Sequence, residues 1–370
     1  MIRKECFTKE WIETVSNRFH YNDLNLIEKV IRAFSLVNML SESGCPYIWK
    51  GGSCLMLLLG SGLHRLSIDV DIVCPPGTDI EKYLAKFPEY GFTGRETIER
   101  EQRGTAVPKS HEKLHYRVAY LSQTERTETI LLDILYEDAQ YDKVETLKVE
   151  SPFILIEGEP MTVQIPSVDD ILADKLTAFA PNTSGIPYYK NGAPKFVEVI
   201  KQLYDVGRLF DNMTSLATVK KVFDRIVPIE LAYKQLPADA APVFQDIRDT
   251  ALCLATRGKA GQGDFDALQK GINFIRPFMY QNKYYLEDAI TDAAKASYLA
   301  TALEKGADTI RGYDSAQETP DLLPSVTNKL NKLRLVQPEA YYYWAKTSQL
   351  LGTGNDTIVP DITSTLGRLF

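Results

Sequence analysis

Between Leu24 and Leu40, apolar residues recur every three or four positions: Leu24, Ile27, Val30, Ile31, Phe34, Val37 and Leu40. That spacing marks one face of a helix, and residues 8–43 read as helical. The pattern then shortens. Tyr47-Ile48-Trp49 is an apolar run ending at Lys50, a strand, and Gly51-Gly52-Ser53 is a sharp turn. Residues 54–59 continue as a buried helix broken by Gly60 and Gly62. Residues 66–74 alternate apolar and polar and stop at Pro75-Pro76-Gly77, which predicts a strand. Residues 79–87 read as a helix, 113–121 and 129–136 as strands joined by a polar turn, and 153–156 with 161–165 as another strand pair.

Past this point the period lengthens again. Ser167-Val168-Asp169-Asp170 places a serine three residues before an acid, a helix start, and 168–180 follows as a helix. Residues 181–194 form a loop rich in Pro, Gly and Asn. Residues 195–210 and most of 215–305 keep helical spacing, and the tail holds an aromatic cluster over 341–344. The expected fold class is therefore α+β. A sheet with flanking helices occupies residues 1–165 and a mainly helical domain residues 166–370. A chain of 370 residues suits about two domains of roughly 100–200 residues each.

Composition narrows the class. At 44% hydrophobic and 25% charged, the chain can bury a sizeable core. Its longest apolar stretch, 55–59, falls far short of the roughly 20 residues that span a bilayer, and the first residues lack the apolar core of a signal peptide. A cytoplasmic protein without membrane contact is expected. Five widely spaced cysteines without a CxxC read as free buried thiols. A net charge of −7 excludes coating nucleic acid by charge alone, so any such contact needs a local basic patch. Residues 95–117 carry Arg95, Arg100, Arg103, Lys109, Lys113 and Arg117 with His111 and His115, but also four acids. That segment reads as a solvated loop or as a loop touching a nucleic-acid acceptor.

Candidate chemistry concentrates between Lys50 and Asp71. On a strand, Ser67, Asp69 and Asp71 share one face while Ile68, Val70 and Ile72 share the other. Carboxylates two residues apart lie roughly 6–7 Å apart along a strand, able to converge on one ion or bracket two. An isolated DxD is usually a solvated strand face or a sugar-nucleotide site, and a lone Gly-Gly is an ordinary turn. Together they are more specific. Gly51 and Gly52 let backbone amides approach phosphate at a helix start, and Ser53 adds a hydroxyl. Arg65 can orient phosphate or brace the acids. A third acid is expected on a neighbouring strand, and Asp133 interrupts an otherwise apolar one, as base or as a metal ligand. Lys175 lies on a helix beside an apolar face, where it can meet phosphate or extend along the surface to solvent; Asp205 is a helix acid.

Lys50-Gly51-Gly52-Ser53 followed by Arg65-x-Ser67-x-Asp69-x-Asp71 resembles the AbiEii-type nucleotidyltransferase toxins, within the DNA polymerase β-like nucleotidyltransferase superfamily. The 170–176 and 201–206 segments are similar to that family's lysine-bearing helix and its later Tyr-Asp segment, except that Gln202 stands where an acid is common. The resemblance implies a mixed sheet of nucleotidyltransferase type. It implies Gly51, Gly52, Ser53 and Lys175 at the phosphates with Asp205 near by, and Ser67, Asp69 and Asp71 as the metal and catalytic strand; the residues themselves add Lys50 and Arg65 on the nucleotide side and Asp133 as a further catalytic and metal-binding acid. It further implies magnesium (or manganese), an NTP substrate, transfer of NMP to a tRNA, and a cognate antitoxin. A nucleotidyltransferase acting on a small molecule such as an antibiotic, and a non-catalytic nucleotide-binding protein, are the alternatives.

Overall fold

The computed structural model describes residues 1–98, 112–317, 319–322 and 328–352. Arg100, Arg103, Lys109 and His111 of the basic segment lie outside these residues. The described chain divides into two compact units. Unit 1 comprises residues 1–171 with two returning segments, 232–235 and 276–283; unit 2 comprises the rest.

Unit 1 begins with helices α1 (Lys9–Phe19) and α2 (Leu24–Glu42). Each starts on a polar cap, the side chain of Thr8 accepting from the Trp11 amide and that of Asp23 from the Leu26 amide. They are followed by β1 (Ile48–Lys50), α3 (Gly51–Leu58), β2 (Val70–Cys74), α4 (Ile80–Leu84), β3 (Phe92–Ile98), β4 (Glu112–Leu121) and β5 (Thr127–Tyr136). The five strands form one mixed sheet in the order β1-β2-β5-β4-β3. Only the β2–β5 pair is parallel.

The alternation along these strands sorts their side chains between the two faces. Trp49, Val70, Ile72, Cys74, Leu132, Ile134, Tyr116 and Val118 are all buried on one of them. Helix α2 packs against β2 and β5, and Phe34 meets Trp49 edge-to-face at 5.8 Å between centroids. The opposite face is half-buried and polar at its centre. The basic segment is therefore strand on both sides of its middle: Arg95 sits on β3, and Lys113, His115 and Arg117 on β4.

Two strand expectations change. The second strand begins at Val70, not Leu66, so Ser67 and Asp69 precede it. The chain at 63–67 is instead held by the returning segment 276–283. Leu66 N–H donates to Phe278 O at 2.8 Å, Tyr280 N–H to His64 O at 3.1 Å, and Arg65 bridges Met279. Those amides are satisfied outside the sheet, which releases them from the ladder. The second pair is β6 (Val144–Lys148) with β7 (Thr162–Pro166). Residues 153–156 supply only the bridge of Ile156 to Ile2. All five cysteines are free and buried, as expected.

Helix α5 (Val168–Ala178) starts where the Ser-x-x-acid pattern places it. Ser167 Oγ donates to Asp170, whose own amide donates back to Ser167 Oγ at 3.3 Å. Asp170 is fully buried and also accepts from the Asp142 and Lys143 amides.

Unit 2 is helical: α6 (Phe196–Asn212), α7 (Leu216–Tyr233, whose end returns to unit 1), α8 (Ala241–Ala255), α9 (Phe265–Phe274), α10 (Leu286–Glu304), α11 (Leu333–Val336) and α12 (Pro338–Gly352). The alanine-rich α10 packs against α6, α8 and α12. Its small side chains let neighbours approach closely: Gly207 of α6 lies directly against the fully buried Asp292. Asp292 accepts from Arg208 at 2.7 Å and from the Tyr284 hydroxyl at 2.9 Å. The aromatic cluster 341–344 is buried on α12. Among the described residues no helix is long and apolar enough to cross a membrane.

Candidate active site

The sheet register builds one row across four strands. It pairs Lys50 with Asp71, Asp71 with Asp133, and Asp133 with His115. Paired residues on neighbouring strands project from the same face, so these four side chains stand side by side on the polar face. Each is half-buried. Adjacent strands lie about 4.7–4.9 Å apart, which brings the Asp71 and Asp133 carboxylates within reach of a shared cation. Asp133 Oδ1 is hydrogen-bonded by His115 Nδ1 at 2.7 Å.

The glycine turn abuts this row. Lys50 ends β1 and immediately precedes α3. Gly51 has φ +81°, a left-handed conformation, and an added Cβ would lie 2.0 Å from Asp71 Oδ2. Gly52 has no such torsion, but its Cβ would lie 2.7 Å from both Arg65 Nη2 and Ser67 Oγ. The two glycines are the space into which Asp71, Arg65 and Ser67 fit. Opening α3 here also places the electropositive start of a helix beside the acidic strand.

The remaining residues of the motif are anchored by the protein. Ser53 is buried, and its Oγ accepts from the Trp49 indole at 3.1 Å. Arg65 is buried with 2% exposure and donates to Leu66 O at 3.2 Å. Ser67 is buried and its amide donates to Met56 Sδ at 3.4 Å. Asp69 is half-buried, one residue ahead of β2.

In unit 2, Lys175 on α5 and Asp205 on α6 form a buried ion pair at 3.1 Å. Lys175 Nζ also donates to Gln202 Oε1 at 3.0 Å. The position where an acid is common thus carries an amide whose oxygen accepts from the same lysine. Lys175 is not extended along the surface; 9% of its side chain is exposed.

Two contacts were not legible in the sequence. His115 was read only as part of a basic segment, because its partnership with Asp133 depends on strand register. Gln202 was read as a departure, because its link to Lys175 depends on the packing of two helices.

A model of the nucleotidyl transferase AbiEii toxin family, described as a type IV toxin–antitoxin system, matches residues 36–278, more than half of the chain. The chain belongs to the AbiEii family. It is a nucleotidyltransferase. No curated protein matches it. Among solved structures, one described as a "putative nucleotidyltransferase from H. pylori" is similar at 18% identity, with 76% of this chain and 94% of that chain covered and a TM-score of 0.37. The matched span takes in the glycine turn, all three candidate acids, Lys175 and Asp205.

The donor chemistry of this AbiEii-family site suits a hard dication. Asp71 and Asp133 are neighbours in the register and offer only oxygen. Among the described residues no group of three or more His, Cys, Asp or Glu side chains is placed to hold a metal by itself. An ion held by these two acids would need substrate phosphates and water to complete its shell, as magnesium ordinarily does beside nucleotides.

Proposed function

We propose that this nucleotidyltransferase moves an NMP from an NTP to a hydroxyl of tRNA, with magnesium, as a toxin restrained by a cognate antitoxin in the cytoplasm. The observation that carries the chemical part is the adjacency of Asp71 and Asp133 in the register, with Asp71 packed on the Gly51 backbone. The toxin role and the tRNA acceptor are supported by the family, whose description is that of a type IV toxin–antitoxin system.

Asp71 and Asp133, neighbours in the register, would hold the ion, with Asp69 near by ahead of β2 and phosphate and water completing the shell; the ion when bound would neutralise triphosphate charge and polarise the α-phosphate. Asp71 is held in place by the glycine turn, and the Gly51 and Gly52 amides at the start of α3 bind phosphate oxygens. Lys50, beside Asp71 in the sheet, supplies positive charge. Asp133 takes the proton of the acceptor hydroxyl as its oxygen attacks the α-phosphorus. The new O–P bond forms as the bond to the β-phosphate oxygen breaks, and pyrophosphate leaves.

The test is incubation of purified protein with magnesium, total tRNA and each labelled NTP in turn. Label on tRNA from at least one NTP, abolished in Asp71→Asn, is expected. Label on a small molecule with none on tRNA would move the acceptor to the antibiotic-type reading. Transfer from no NTP to any acceptor overturns the proposal.

A further inference from the structure

We propose that His115 is a positioning residue for Asp133, fixing which carboxylate oxygen faces the reacting hydroxyl. This rests on the reading of Asp133 as the base. An ionised carboxylate only accepts hydrogen bonds, so Nδ1 of His115 carries the proton in the 2.7 Å contact with Oδ1. That bond commits Oδ1 and sets the plane of the carboxylate. Oδ2 is then the oxygen left to face a hydroxyl.

Stability does not require the contact. The Asp133 side chain is 32% exposed and that of His115 26%, so the carboxylate keeps much of its hydration and needs no partner to remain folded. The contact supplies direction instead. On the same face of β4, Lys113 and Arg117 flank His115 at two residues on either side, and both turn elsewhere. Lys113 stands 4.0 Å from the Tyr233 ring centre, and Arg117 pairs with Glu96 at 3.6 Å. The residue opposite the acid is therefore the one carrying a short, planar ring. An imidazole has two side-chain torsions, so it fixes a carboxylate plane at a smaller entropic cost than a lysine on its flexible stem. A general base works only when its lone pair is aimed within hydrogen-bond reach of the proton it removes.

The test uses the full chain and three variants. His115→Ala removes the donor. His115→Asn keeps an amide N–H at the position of Nδ1, the same number of bonds from the backbone. Asp133→Asn tests the underlying reading. In His115→Ala, kcat should fall on the order of ten- to a hundredfold, the range seen when partners of active-site ligands are removed. At saturating magnesium, KM for the NTP should stay within about twofold, because Asp71 and the glycine turn are untouched, and the melting temperature should hold, because the contact lies outside the core. His115→Asn should recover most of the lost kcat. Side-chain NMR of the wild type should show a protected Nδ1–H proton that Asp133→Asn abolishes. Wild-type kcat in His115→Ala, beside an inactive Asp133→Asn, overturns this inference alone. Equal impairment in the Ala and Asn variants also overturns it, since the donor would then not be what matters. Full activity in Asp133→Asn overturns the base assignment itself, whatever His115 does.

Discussion

Replacing Gly51 by alanine tests the site at its tightest point. Two costs add. The left-handed torsion of +81° is penalised by roughly 1–2 kcal/mol for a residue with a Cβ. The new methyl would lie 2.0 Å from Asp71 Oδ2, 2.7 Å from its Cγ and 2.9 Å from its Cβ. Rotating the carboxylate clears the first two atoms but not the third, which is fixed to the backbone of β2. The strand itself must shift, and overpacking of this kind costs typically about 1–3 kcal/mol. Together the substitution should destabilise unit 1 by about 2–5 kcal/mol and turn Asp71 out of the row. Gly52→Ala is the internal control. Its nearest obstacles, Arg65 Nη2 and Ser67 Oγ, are side-chain ends at 2.7 Å and no left-handed torsion adds to them, so a smaller loss of about 1–3 kcal/mol is expected with partial activity retained. Thermal denaturation followed by circular dichroism, paired with labelled-NTP transfer, measures both. Gly51→Ala with wild-type melting and wild-type transfer would refute the reasoning, as would a larger loss at Gly52 than at Gly51.

Other outcomes follow from single contacts. Ser53→Ala leaves the buried Trp49 indole N–H without its acceptor and should cost about 1–3 kcal/mol in chemical denaturation; a rise in KM for the NTP would show that the hydroxyl also serves phosphate. Lys175→Met removes the charged partner of the fully buried Asp205, so a loss of about 3–5 kcal/mol is expected, and Lys175→Met with Asp205→Asn should recover much of it. Gly207→Ala drives a methyl to 2.1 Å from Asp292 Oδ1 in the core of unit 2, and a clear drop in melting temperature is expected without any change at the acidic row. Burial pushes the Asp246 carboxyl up, only partly offset by bonds from Asn182, Thr183 and Thr250. Its folded value lies above its unfolded one, so its contribution is fully present below the unfolded value and is lost as pH rises through the folded value. The melting temperature of the wild type minus that of Asp246→Asn should therefore fall as pH rises from about 4 towards neutrality; a difference that grows with pH would contradict this.

Local patterns carried much of this protein in the sequence. The three-and-four spacing over Leu24–Leu40 specifies α2, since a helix turns its side chains by a fixed angle per residue. Ser167 and Asp170 announce the start of α5 because a cap needs only residues three apart. The glycine turn and the acids stood out for the same reason: their chemistry is local, and their spacing carries the family likeness. Where a strand begins is not local. Residues 66–69 alternate as a strand would, yet a segment more than two hundred residues later takes the amide of Leu66, and pairing energy goes to whichever partner arrives. Register is equally silent in a sequence, because any strand of period two offers the same alternation to several neighbours. Asp71 and Asp133 were each visible alone as acids in apolar surroundings. That they are neighbours, with Lys50 on one side and His115 on the other, was decided only when four strands settled into one sheet.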